Sequence, residues 1–163
     1  MLAINIKLHN MQLSVHFNLD EATFSDTATR LGIPNLPSEV QLANMRHAAE
    51  GMEKVRDILG GKAIHVNSWL RLPAVNVAVG GSSVSSHMDG FAIDFTCSSF
   101  GEPLAVCKAI EASGLKFDQM IHEFGKWTHI SFAPEMRGQK LTIFKPENKY
   151  KVGILTTAEY NKA

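Results

Sequence analysis

An aspartate at the centre of an apolar strand is the feature that this chain must accommodate first. In Phe91-Ala92-Ile93-Asp94-Phe95 the side chains of a strand alternate between faces, so Phe91, Ile93 and Phe95 are expected to point into the core while Ala92 and Asp94 share the other side. An unpaired carboxylate there is costly, because a buried charge needs a partner charge, hydrogen bonds or a metal. A second strand offers those partners. In Trp127-Thr128-His129-Ile130-Ser131-Phe132, the set Thr128, Ile130 and Phe132 can face the core, leaving Trp127, His129 and Ser131 opposite. If the two strands are neighbours, His87, Asp94 and His129 can converge. Two imidazoles and one carboxylate suit Zn²⁺, and three protein ligands leave the fourth tetrahedral position to water, as in catalytic rather than structural sites.

The 163 residues suit one domain, spanning 1–163, and are enough to bury a sizeable core. Sixteen basic and sixteen acidic residues balance, so no electrostatic reason exists to expect nucleic acid as a partner. Cys97 and Cys107 form no CxxC pair, which rules out a disulfide-built fold while leaving one bridge open. The amino-terminal Met1-Leu2-Ala3-Ile4-Asn5-Ile6-Lys7 has neither a basic n-region nor a long apolar run, so synthesis in the cytoplasm without a signal peptide is expected. No stretch approaches the roughly 18 to 20 apolar residues of a membrane span.

Along the chain, the loose alternation over residues 4–17 predicts one or two short strands or an extended arm. Asp20 and Ser25 are possible caps of short helices, with Gly32 as a stop, and Ile33-Pro34-Asn35-Leu36-Pro37 is a connector. Ser38 with Gln41 makes a capping box. Leu42, Met45, Ala49, Met52, Val55 and Leu59 then recur at helical steps up to Gly60-Gly61, with His47 off the stripe and solvated. Ala63 to Ser68 reads as a strand. Asn76 to Ser86 reads as a small-residue loop that delivers His87, and it lacks the pattern of a phosphate-binding loop. Gly90 fits a turn of positive φ. Pro103 and Gly114 frame a second helix with Leu104, Cys107 and Ile110 on one face, and Phe117 to Glu123 resumes a strand. The tail suggests a hairpin around Pro146-Glu147-Asn148 and a short helical end.

Ser85-x-His87-x-x-Gly90-x-Ala92-x-Asp94, followed by Trp127-x-His129-x-Ser131, resembles the zinc-binding signature of the zinc D-alanyl-D-alanine carboxypeptidase family, which includes L-alanyl-D-glutamate endopeptidases. The likeness is to the carboxypeptidase-like branch common in phages and bacteria. Phe17 to Glu21, Ser25 to Ala28, Arg71-x-Pro73-x-Val75-Asn76, Ala78 to Ser82 and Phe117-Asp118-Gln119 fit that branch in order. The resemblance implies a single-domain α+β fold of the DD-peptidase/hedgehog-like kind, with a small, mainly antiparallel sheet carrying the zinc site and helices packed against it.

It further implies one catalytic zinc held by His87, Asp94 and His129. Glu123, in Glu123-Phe124-Gly125-Lys126-Trp127-x-His129, takes the role of base and acid, with a turn at Gly125 bringing it back toward the metal. Arg71 is expected to steady the substrate carbonyl or a carboxylate, against the plainer reading of an arginine paired with a surface acid. Ser85 and Trp127 are expected at the substrate, although Ser85 also reads as an orienter of His87 or an ordinary loop serine. The chain departs from the family where Ser68-Trp69-Leu70-Arg71-Leu72 replaces the usual Ser-Gly-Tyr-Arg-Ser run, a change expected to bear on substrate preference more than on metal binding.

The implied function is hydrolysis of peptidoglycan stem peptides, as a wall-lytic enzyme of endolysin type that reaches the wall after release by another route. The rival reading is a non-catalytic, zinc-stabilised module that binds wall peptide or a protein partner.

Overall fold

The computed structural model describes residues 10–163. Of the short strands or extended arm expected over residues 4–17, residues 4–9 lie outside the described residues, and within the rest Gln12 bridges Asn18 in an isolated antiparallel pair. Helix α1 (Leu19–Thr23) is capped by Asn18, two residues before the Asp20 cap read from the sequence. Asn18 accepts the Glu21 N–H while the Glu21 carboxylate accepts the Asn18 N–H, so two orphan donors are satisfied reciprocally. The Asp20 carboxylate accepts the Asn10 N–H instead. Helix α2 (Asp26–Leu31) is capped by Ser25 and stopped by Gly32 in the left-handed region, as the spacing predicts. Helix α3 (Glu39–Ile58) opens on the Ser38–Gln41 capping box and buries Met45, Ala49, Met52 and Val55, with His47 exposed.

Strand β1 (His65–Ser68) is shorter than the Ala63 start predicts. Helix α4 (Pro73–Ala78) takes in the first residues of the expected loop, because Pro73 at its first position presets φ and gives up no needed donor. Strand β2 (Ala92–Thr96) and helix α5 (Pro103–Ser113) follow, the latter ended by Gly114. Strands β3 (Gln119–Glu123), β4 (Trp127–Ser131), β5 (Gln139–Ile143) and β6 (Lys151–Val152) precede helix α6 (Thr157–Lys162). The tail hairpin is present as the antiparallel β5–β6 pair.

The fold is α+β, but its six-stranded sheet, in the order β1-β2-β4-β3-β5-β6, is mixed rather than mainly antiparallel. Strand β5 runs parallel to β3. The reason lies in the hairpin before it: Gln119 pairs with Ser131, so β4 ends where β3 begins. The short segment after Ser131 re-enters the sheet at that same end, with Gln139 beside Gln119, and must run in the direction of β3.

Alternation divides the sheet into two faces. Ile93, Ile130 and Met120 stand in one row of directly paired residues, with Phe95 beside Thr128 in the next, and these pack with Met45, Met52 and Ile110 in the core. Each such fully buried side chain contributes roughly 1.5–3 kcal/mol relative to exposure. His122 falls on this face as well, with its Nδ1 proton on the Leu155 carbonyl, and so is kept away from Asp94 and His129 by alternation alone. Cys97 and Cys107 are buried and free. The opposite face carries the site.

Candidate metal centre

Asp94 lies directly opposite His129 in the β2–β4 register, so the two side chains share the open face. His87 arrives from the loop ahead of β2. Gly90 makes the turn: its φ is +84°, and an added Cβ would lie 2.7 Å from Met45 Cγ. Residues 69–71 clamp that turn at three points. The Trp69 indole donates to the Gly90 carbonyl at 2.8 Å, the Arg71 N–H donates to the His87 carbonyl at 3.1 Å, and His87 Nδ1 lies 2.7 Å from the Trp69 carbonyl. A carbonyl only accepts, so the proton sits on Nδ1 and His87 offers the lone pair of Nε2.

Nε2 lies 3.2 Å from Asp94 Oδ1 and 3.2 Å from His129 Nδ1, and the last two atoms are 2.8 Å apart. His87, Asp94 and His129 are all buried. Burial pushes the His87 imidazole below its ordinary pKa, against the pull of Asp94, so it is held neutral. Burial alone would raise the Asp94 carboxyl, yet the group is held far below the usual carboxylate range, ionised beside His129, whose Nδ1 lies 2.8 Å from Oδ1.

With a neutral His87, Nε2 and Asp94 Oδ1 are two acceptors facing each other, an arrangement that a cation between them relieves. A tetrahedral ion with ligands at about 2.0–2.1 Å spaces them about 3.3 Å apart, close to the observed separations. The donor set and its spacing fit zinc.

Around the cluster, one cavity of about 710 Å³ is lined by Arg71, Ser85, Glu123, Trp127 and Tyr150 among others. Glu123 pairs with Trp127 in the β3–β4 register and therefore lies on the same face as His129, two residues on. The turn at Phe124 and Gly125, both of positive φ, closes the hairpin that sets Glu123 opposite Trp127, and strand alternation then puts it on the face of His129. The Trp127 indole donates to Glu123 Oε2. Burial, reinforced by the Asp94 charge, raises the Glu123 pKa.

Arg71 Nη1 stands 3.6 Å from Asp94 Oδ2, and its buried Nε has no hydrogen-bond partner among the described residues, a donor left for a ligand. Arg71 is thus no surface ion pair. Ser85 Oγ accepts the His87 N–H at 3.3 Å and also lines the cavity, so it shapes the turn that carries the histidine.

Several contributors carried no sequence signal. Trp69 and Leu70, which looked like a change beside the substrate, are core residues, and Trp69 supports His87. Asn35, in the proline connector, donates to the Leu70 carbonyl and accepts the Leu72 N–H, holding the segment that ends in Arg71. Tyr150 reaches the cavity from the tail hairpin, where burial and the nearby charges of Glu123 and Asp94 raise its phenol. None of these belongs to a spaced motif.

A mixed α+β sheet that presents an imidazole and a carboxylate to an open cavity, with a buried loop imidazole within 3.2 Å of both and a second carboxylate lining the same cavity, is the build of a metal-dependent hydrolase. Residues 15–131 match the family model described as Peptidase M15, well over half of the chain, and the chain belongs to this family of zinc metallopeptidases. No curated protein matches the chain. The family match ends at Ser131, so Arg137, Gln139, Leu141 and Tyr150 extend the cavity beyond it.

Proposed function

We propose that this chain is a zinc-dependent peptidase that cleaves peptidoglycan stem peptides, as a D,D-carboxypeptidase or an L-alanyl-D-glutamate endopeptidase, in a wall-lytic role of the phage endolysin type. The observation that carries the reading is the position of Glu123 and Arg71 on one cavity with Asp94 and His129, the two members of the His87–Asp94–His129 cluster that reach it. Zinc, when bound, would polarise a peptide carbonyl and lower the pKa of water to about 7.

The chain's own residues supply the rest. Glu123, its pKa raised by burial and Asp94, suits taking a proton from water and returning it to the departing amine. The Trp127 indole holds Oε2 and so fixes the carboxylate in one orientation. Arg71 brings an unpartnered Nε to the cluster, ready for the carbonyl oxygen as it gains charge or for a substrate carboxylate.

The test is incubation of the protein with peptidoglycan, with a chelated sample and a zinc-restored sample beside it, and mass spectrometry of what is released. Metal-dependent fragments are expected and would identify the bond. A protein that holds one zinc and releases nothing would instead be the binding module.

A further inference from the structure

The face that carries the cluster continues past it. Directly opposed residues share a face, so the open side is built in rows: Trp127 beside Glu123, His129 beside Ile121 and Leu141, and Ser131 beside Gln119 and Gln139. Successive rows on one face are about 7 Å apart, which sets the Gln119–Gln139 row that far from His129. Arg137 enters at that end, just ahead of β5, and lines the same cavity as His129 and Glu123.

Its guanidinium is held in place. Arg137 Nε donates to Asp118 Oδ1 at 2.8 Å and Nη2 to Oδ2 at 2.7 Å, while the Arg137 backbone N–H reaches Oδ1 at 3.1 Å. The Asp118 side chain is 1% exposed and that of Arg137 is 52% exposed. A buried carboxylate thus grips a guanidinium that still faces solvent, and the fork is fixed rather than free to sweep. With Nε–H and one Nη2 proton taken, both Nη1 protons and the second Nη2 proton remain for another acceptor. Gln119 donates to Gln139 beside it, so the neighbouring row is neutral and hydrogen-bonding. Glu135 also acts on Arg137, from an exposed position in the connecting segment.

We infer that this end of the cavity is a subsite for a carboxylate of the substrate, with Arg137 as the residue that selects it, roughly two to four extended residues from the scissile bond. The inference rests on the peptidase reading for what counts as substrate, and it adds a requirement that the zinc cluster does not impose. The preferred ligand is an acidic peptide whose charge lies at a distance from the cleaved bond, and amidation of that carboxylate would remove the attraction.

The test uses zinc-loaded protein carrying Glu123→Gln, so that bound peptide is not consumed. It is titrated by calorimetry with a stem-peptide muropeptide bearing free carboxylates, and with the same muropeptide amidated. The free form should bind about tenfold tighter, the scale of one added charge-assisted hydrogen bond. Adding Arg137→Gln should abolish that preference while leaving affinity for the amidated peptide unchanged. Equal affinities in the parent, binding of neither peptide, or a preference that survives Arg137→Gln would each overturn the subsite. If Arg137→Gln fails to fold, Arg137→Lys keeps a charge beside Asp118 but loses the fork, and should weaken the preference severalfold; an undiminished preference counts against the proposal. Hydrolysis by the protein with Glu123 intact is scored separately. Cleavage without discrimination would sink the subsite and leave the peptidase, whereas discrimination in binding without cleavage would do the reverse.

Discussion

His87 donates its Nδ1 proton to the Trp69 carbonyl oxygen across 2.7 Å, and this one bond decides which nitrogen His87 shows to Asp94 and His129. A ligating histidine needs its other nitrogen occupied, because that fixes both tautomer and ring orientation. The Trp69 indole holds the same turn from its side chain, through Gly90. The segment that departs from the family pattern is therefore a support of the candidate metal site.

Trp69→Phe should show this. It leaves the buried Gly90 carbonyl without its donor and a small void in the core, so a loss of roughly 2–4 kcal/mol is expected. Zinc affinity should fall about tenfold or more, since the turn that aims His87 is loosened. Chemical unfolding and a competitive zinc titration would measure the two effects, and unchanged affinity would mean the turn holds without the indole.

Asp94→Asn should separate metal binding from folding. The parent is expected to take up one zinc per chain and to melt higher with zinc than with chelator, by about 4 kcal/mol of stabilisation at a thousandfold excess over Kd. The variant should lose most of that difference. Metal content by mass spectrometry and paired thermal melts decide it.

Glu123→Gln is expected to keep zinc and to lower peptidase turnover by about 10²–10⁴-fold, the usual scale for a lost proton-transfer group. Trp127→Phe is more diagnostic. The indole hydrogen bond lowers the Glu123 pKa against the larger raising effect of burial, so its removal raises the pKa further. A base acts in its ionised form, and the acid limb of the rate profile should therefore move to higher pH. A limb that stays put would detach Glu123 from the proton step.

The Asp118–Arg137 pair should appear in acid stability. Arg137 holds the Asp118 carboxyl below its ordinary pKa, so the folded state gains stability that is complete above the unfolded value of about 3.9 and is lost as pH falls through the lower folded value. Solvent screens the exposed guanidinium, so Asp118→Asn should cost only about 1 kcal/mol at neutral pH. Urea unfolding of parent and variant should converge in acid, and a gap that persists there would point to packing instead.

Neither cysteine should react in the native protein. Burial pushes the Cys107 thiol up to about 12, and Cys97 is buried as well. Maleimide at mildly alkaline pH should label both only after denaturation, and native labelling would reveal local opening.

Much of the site was legible because strand alternation is local. Asp94 on an apolar strand, and His129 two residues after Trp127, fall on defined faces whatever the rest of the chain does. The Ser38–Gln41 box and the Gly32 and Gly114 stops were equally readable, since caps act within a few residues. The Asp20 cap was misread because Asp20 and Asn18 are both good caps, and only the reciprocal bond with Glu21 chooses between them.

The sequence by itself determined the faces of the strands, the ends of the main helices and the ligand types brought to the open side of the sheet. Tertiary structure alone decided that β5 runs parallel to β3, that Trp69 and Asn35 brace the His87 turn, and that Arg137 and Tyr150 reach the cavity from beyond the family match. The division is physical. Alternation and capping depend on neighbours a few residues away, whereas pairing direction and side-chain convergence depend on which strand edge is open when distant segments meet.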